Sequence, residues 1–159
     1  MKNNLSNIKK TKYYLDKGEC IAIPTETVYG LAGNAYSNKA TLKIFKLKKR
    51  TKKNPLIVHY HSLKMLNNDC ITNNQFFKLY KKFCPGPITF VLKKNKTSKI
   101  SSFASANLDT VAVRFPNHKV IRTILKSTSG LNIDKSKVSP SSPARYSPYD
   151  IFRSKGTIL

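Results

Sequence analysis

Residues 24–31 read Pro24-Thr25-Glu26-Thr27-Val28-Tyr29-Gly30-Leu31, directly after the short apolar run Cys20-Ile21-Ala22-Ile23. An apolar strand that stops at proline and gives way to two threonines, a carboxylate and a tyrosine brings hydrogen-bonding groups to the end of a sheet. Open α/β folds bind their ligands there. Taken alone, the octapeptide is equally well a strand followed by an ordinary polar turn.

Outward from this stretch, helix and strand patterns alternate. Upstream, Leu5, Ile8 and Leu15 sketch an amphipathic helix with Ser6 as its N-cap and Gly18 closing it, and residues 19–24 form the first strand. Downstream, Ser37 caps a second helix whose apolar positions Ala40, Ile44 and Leu47 share a face, with Asn54-Pro55 ending it. Residues 56–60 read as a strand. Phe76, Tyr80 and Phe83 repeat the helical spacing before the breaker Cys84-Pro85-Gly86-Pro87. Residues 88–92 and 110–115 are rich in β-branched and aromatic side chains and read as strands, and Val120, Ile121, Ile124 and Leu125 suggest a last helix. The expected fold class is α/β, a twisted open sheet with flanking helices, mixed if residues 88–115 carry an antiparallel pair. From residue 127 the chain is rich in Ser, Pro and Lys, with a weak apolar patch at Tyr149, Ile151 and Phe152, and it reads as an irregular tail to residue 159.

With 159 residues, 40% of them hydrophobic, the chain suits one domain with one substantial core. The three cysteines, Cys20, Cys70 and Cys84, are odd in number and lack CxxC spacing, which points away from a disulfide framework or a zinc site. A reduced, cytoplasmic setting is the natural expectation. Residues 1–12 are polar and basic without an apolar leader segment, and no apolar run is long enough to span a bilayer, so no membrane association is expected. Thirty Lys and Arg against seven Asp and Glu give a formal charge of +23. That field attracts nucleotides and nucleic acids without specifying which is the proper ligand. Biased lysine and asparagine usage accounts for any single lysine equally well.

Three further groups can carry chemistry. Lys48-Lys49-Arg50 closes the second helix; Lys48 and Arg50 can converge on one anion, or they can simply be a solvated basic helix end opposing the macrodipole. His59, at the end of its strand, is either structural or functional, and His61 and His118 are weaker candidates. On the strand Thr110-Val111-Ala112-Val113-Arg114-Phe115, period-two alternation puts Thr110, Ala112 and Arg114 on one face. A mid-strand arginine in a chain with few acids favours an external anion as its partner. Pro85-Gly86-Pro87 is a rigid turn. No P-loop, dinucleotide glycine fingerprint, catalytic triad order or zincin motif is present, so a nucleotide would have to be held by basic side chains and turn N–H groups.

Together, Pro24-Thr25-Glu26-Thr27-Val28-Tyr29-Gly30-Leu31, Lys48-x-Arg50, Asn54-Pro55-Leu56-Ile57-Val58-His59, Pro85-Gly86-Pro87-Ile88-Thr89 and Thr110-Val111-Ala112-Val113-Arg114-Phe115-Pro116 resemble the YrdC/Sua5/TsaC family in content, order and spacing. The resemblance covers roughly residues 5–126. It implies a threonylcarbamoyl-AMP synthase, which joins L-threonine, bicarbonate and ATP into L-threonylcarbamoyladenylate and releases pyrophosphate. The product supplies N6-threonylcarbamoyladenosine in tRNA through separate threonylcarbamoyl-transfer proteins. The resemblance further implies a positively charged concave cavity, with Mg2+ accompanying ATP and no protein-held metal. Carried over motif by motif, Lys48 and Arg50 would act on the ATP phosphates as catalytic and nucleotide-binding residues. Thr25, Thr27, Tyr29, His59 and Arg114 would line the threonine pocket, Arg114 meeting the carboxylate, and Thr110 would reach the nucleotide.

Beyond the last helix the chain departs from the family pattern. There the family carries an apolar strand ending in Pro-Ser-x-Asn, whose Ser and Asn bind the nucleotide. Here Ser127-Thr128-Ser129-Gly130 runs straight into Leu131-Asn132-Ile133-Asp134-Lys135, with no serine two residues before Asn132. Asn132 is the candidate for the motif's asparagine, Ser139 and Ser141 are candidates for its serine, and the strand is expected to be missing. A different class of function follows from the charge: a non-catalytic relative that grips tRNA or double-stranded RNA through phosphates.

Overall fold

Apolar spacing, caps and turns build eleven elements among the described residues. Helix α1 (Leu5–Asp16) buries Leu15, and Gly18 turns the chain out of it at φ +74°, a conformation that disfavours side chains bearing a Cβ. Ser6 falls inside α1, one residue after its start. Strands β1 (Ile21–Ile23) and β2 (Gly30–Asn34) follow. Helix α2 (Asn38–Lys48) begins at Ser37, whose hydroxyl accepts the Ala40 amide at 3.2 Å. It ends at Lys48, six residues before the expected stop at Asn54-Pro55, because Lys49 takes the left-handed conformation and closes the helix. Strand β3 (Ile57–His59), the short helix α3 (Leu63–Asn67) and helix α4 (Asn74–Phe83) come next. Strand β4 (Thr89–Lys93), strand β5 (Thr110–Arg114), helix α5 (Lys119–Lys126) and strand β6 (Leu131–Asp134) follow. This computed structural model describes residues 5–25, 29–128 and 130–134.

The six strands form one mixed sheet in the order β1-β2-β6-β3-β5-β4. Only β3 and β5 run parallel; every other neighbouring pair is antiparallel, including β4 with β5, as residues 88–115 suggested. The expectation of irregular chain from residue 127 is overturned at residues 131–134. Leu131-Asn132-Ile133-Asp134 pairs with β2 on one side and β3 on the other, in the middle of the sheet. Leu131 and Ile133 are buried in the core, each contributing roughly 1.5–3 kcal/mol. The expected loss of a strand after the last helix does not hold either, since β6 fills that place. Residues 135–159, with Ser139 and Ser141, lie outside the described residues.

Registered neighbours share a face, so the pairing sorts every strand residue. On the front, Ile21, Ile23, Ala32, Leu131 and Ile133 pack with Leu15 of α1 and Ile121, Ile124 and Leu125 of α5. On the back, Ile44 and Phe45 of α2 pack with Leu31 and Leu56. Phe76 of α4 joins Val58, Phe90, Val111 and Val113 in the largest apolar cluster, also on the back. The front face of β3, β5 and β4 differs: Ile57, Ala112, Arg114 and Thr89 are half-buried and Val91 is 69% exposed. That bare half-face is where the sheet can receive a ligand.

Candidate functional site

The Lys48-x-Arg50 spacing works because of the residue between. Lys49 sits at φ 49° and ψ 33°, its amide reaches the Lys46 carbonyl at 3.3 Å, and the Arg50 amide returns to Phe45 at 3.0 Å. This reversal turns Arg50 back toward the start of β3, where Nε donates to the Asn54 carbonyl (3.3 Å) and Nη2 to the Pro55 carbonyl (3.0 Å). Arg50 Nη1 lies 3.6 Å from Asp134 Oδ2, at the end of β6. Lys48 is buried; desolvation pulls its pKa down, the charge of Asp134 pushes it up, and Arg50 adds a smaller downward push. Arg50 and Asp134 thus form an ion pair whose charges both act on the buried Lys48, and Lys48 with Arg50 makes a candidate cationic clamp beside one carboxylate.

Thr25 and Thr110 lie toward this end of the sheet. Thr25, just past β1, is buried with its methyl against Gly30; a Cβ at Gly30 would stand 2.6 Å from Ile133 Cγ2 and 3.4 Å from Thr25 Cγ2. Glycine at position 30 therefore lets Thr25 and β6 close over the β2 backbone. Thr110 opens β5 level with Lys93 of β4, in line with the start of β3. Tyr29 is 56% exposed beside them. Thr27 lies outside the described residues.

The second group stands at the other end of β3. His59, Arg114 and Thr89 form a row across β3, β5 and β4 on the front face, fixed by the pairings of His59 with Arg114 and of Thr89 with Arg114. Thr89 Oγ1 accepts from both Arg114 Nε (2.9 Å) and Nη2 (2.6 Å). His59 is buried, its Nδ1 held 3.0 Å from the Ile57 carbonyl, which as a hydrogen bond makes Nδ1 the donor. Among the described residues Arg114 has no carboxylate partner, in keeping with an arginine that meets an external anion. The row ends at His59, whereas the clamp's arginine holds the Pro55 carbonyl four residues earlier in the chain, about 13 Å away at strand rise.

Asn132, the candidate for the nucleotide-binding asparagine, lies in β6. It points to the back face, is 0% exposed, and donates from Nδ2 to Thr41 Oγ1 of α2 at 3.1 Å. The alternation of β6 forces this: Leu131 and Ile133 take the front core, so Asn132 and Asp134 must face back. Asp134, two residues on, is the β6 side chain at the clamp, and the sequence reading missed it. Thr89 was missed as well, although it ends the quoted Pro85-Gly86-Pro87-Ile88-Thr89 motif. Among the described residues, no group of three or more His, Cys, Asp or Glu side chains is placed to hold a metal ion.

Comparison with known proteins follows the same outline. The Sua5/YciO/YrdC family model, described as telomere recombination, matches residues 13–156. The threonylcarbamoyl-AMP synthase of Pyrococcus abyssi is 37% identical over 116 residues, covering 71% of this chain and 33% of that protein. The threonylcarbamoyl-AMP synthase of Bacillus subtilis is 37% identical over 134 residues, covering 84% of this chain and 38% of that protein. The crystal structure of P. abyssi Sua5 complexed with L-threonine superposes with a TM-score of 0.73 at 36% identity, over 83% of this chain and 39% of that one. The chain thus spans little more than a third of the length of these relatives.

Proposed function

This chain belongs to the Sua5/YciO/YrdC family, and from that membership we propose that it forms L-threonylcarbamoyladenylate from L-threonine, bicarbonate and ATP, with release of pyrophosphate. The observation that carries the reading is the likeness to threonylcarbamoyl-AMP synthases at 37% identity, joined to a fold shared with a Sua5 solved with L-threonine. The geometry supports a division of labour. Arg114, aligned by Thr89 beside His59, takes the threonine carboxylate through its fork of donors. Lys48 and Arg50 take the ATP phosphates and stabilise the departing pyrophosphate, and Thr25, Thr27, Tyr29 and Thr110 contribute substrate contacts. Catalysis is mostly positioning.

Mg2+ enters as the companion of the ATP phosphates. Two cationic side chains suit the phosphate oxygens and not the ion, and the ion would shield charge between ATP and its surroundings. In a cytoplasmic setting, the adenylate would pass to tRNA threonylcarbamoyl-transfer proteins. No helix among the described residues is long and apolar enough to cross a membrane. The charge of +23 favours a second activity, binding of tRNA or double-stranded RNA through phosphates. Incubation of the purified chain with ATP, bicarbonate and labelled threonine tests the main reading. Pyrophosphate and a labelled adenylate are expected; their absence alongside salt-sensitive RNA binding would leave the RNA reading in its place.

A further inference from the structure

We propose that Asp134 sets the anion affinity of the Lys48 and Arg50 clamp as its internal counter-anion, so that a polyphosphate binds by displacing the influence of a carboxylate already present. The proposal rests on the reading that this clamp holds phosphate. It assigns a role to a residue outside every motif quoted above.

The geometry separates orientation from charge. Arg50 is oriented by backbone: Nε and Nη2 donate to the Asn54 and Pro55 carbonyls at 3.3 and 3.0 Å, which fixes the guanidinium plane. Asp134 Oδ2 is 3.6 Å from Nη1, beyond hydrogen-bond length yet within ion-pair range. Asp134 therefore supplies negative charge to a clamp whose arginine the backbone already aims.

Asp134 also cannot withdraw. Its backbone is registered to Leu31 of β2 and its side chain is buried. A phosphate oxygen brought to Arg50 Nη1 comes to rest beside a fixed negative charge in a partly desolvated site, where repulsion is stronger than in water. A singly charged anion gains little by that exchange. A diphosphate or triphosphate, with several charges and a second contact at Lys48, meets the same carboxylate and feels its repulsion more strongly, which makes tripolyphosphate a sensitive probe of it. In a chain of formal charge +23, such a residue moderates the pull of the site on anions.

Calorimetric titration of the full chain with inorganic tripolyphosphate, in buffer without divalent cations and at fixed ionic strength, tests this directly. Asp134→Asn is expected to bind about tenfold more tightly than the parent chain, and Asp134→Ser likewise. Lys48→Ala in the Asp134→Asn background is expected to abolish the gain. Unchanged or weaker binding in both Asp134 variants overturns the proposal, as does failure of both to unfold cooperatively, which would make Asp134 a structural ion-pair partner. Tripolyphosphate binding needs neither threonine nor turnover, so a chain that makes no adenylate still answers the question. If no variant binds tripolyphosphate, the clamp itself is disproved, while threonine binding at Arg114 is a separate titration.

Discussion

His59 and Arg114 are register partners on the parallel strands β3 and β5, and Thr89 stands opposite Arg114 on its other side. Two unrelated pairings, one parallel and one antiparallel, thus place an imidazole, a guanidinium and a hydroxyl in one row. Strand pairing holds such a row more rigidly than loops would, which suits recognition of a small carboxylate.

The Thr89 hydroxyl accepts both Nε and Nη2 of Arg114, so its own proton points elsewhere. Thr89→Val keeps the shape and removes the acceptor, and a hydrogen bond to a charged group is worth about 1.5–3 kcal/mol. L-threonine affinity, measured by calorimetry, is expected to fall about tenfold or more, with Thr89→Ser restoring most of it. Arg114→Lys is expected to lose the interaction as well, because an ammonium cannot reproduce the fork. Unaltered affinity in Thr89→Val would remove Thr89 from threonine recognition.

Lys49 adopts φ 49°, which costs an L-residue with a Cβ about 1 kcal/mol relative to glycine. Lys49→Gly is expected to raise the melting temperature by a few degrees and to leave tripolyphosphate binding within about twofold, since the reversal that aims Arg50 is kept. Lys49→Val, β-branched and ill-suited to this conformation, is expected to lower both. Circular-dichroism melts of the three chains make the comparison, and a lower melting point for Lys49→Gly counts against the strain.

Much of this was legible in the sequence, for reasons particular residues make plain. α2, β3, β4, β5 and α5 follow from local apolar period and from caps such as Ser37. Strand β2 did not announce itself, because Gly30-Leu31-Ala32-Gly33-Asn34 has little β propensity and is held by its neighbours on both sides. Strand β6 was hidden for a sharper reason: half of its four residues are polar. Their partners are distant in the chain, Thr41 for Asn132 and Arg50 for Asp134. Only tertiary structure supplies such partners, so a buried polar strand looks like a loop until its neighbours are known. The site motifs were readable as residue types; their division into two groups at opposite ends of β3 was not.

Glu19 and Lys43 join β1's approach to helix α2 in an ion pair, and the Lys43 hydrogen bond holds the Glu19 carboxyl below its ordinary range against an opposing desolvation effect. A depressed folded-state pKa stabilises the fold above the unfolded value of 4.5, and that stability is lost as pH falls through the lowered folded value. Both side chains are one-third exposed, so the pair is worth about 0.5 kcal/mol after solvent screening. Urea unfolding of Glu19→Gln against the parent chain should show that difference near neutral pH and none in strong acid. A difference that grows with acidity would contradict the assignment.

Gly30 is the point where the octapeptide at residue 24 meets the sheet. A methyl group there would lie 2.6 Å from Ile133 Cγ2, a methyl carbon packed in the front core, and 3.5 Å from the Asp134 carbonyl. Relief requires β6 to move or Ile133 to leave its packing, and overpacking of this kind costs about 1–3 kcal/mol. Gly30→Ala should therefore lower the urea midpoint and also shift tripolyphosphate affinity, because Asp134 travels with β6. Ile133→Val keeps Cγ2 but Ile133→Ala removes it, so the double variant Gly30→Ala, Ile133→Ala should be less destabilised than the sum of its singles. Strict additivity of the two substitutions in a double-mutant cycle would place the effect of Gly30 elsewhere than at β6.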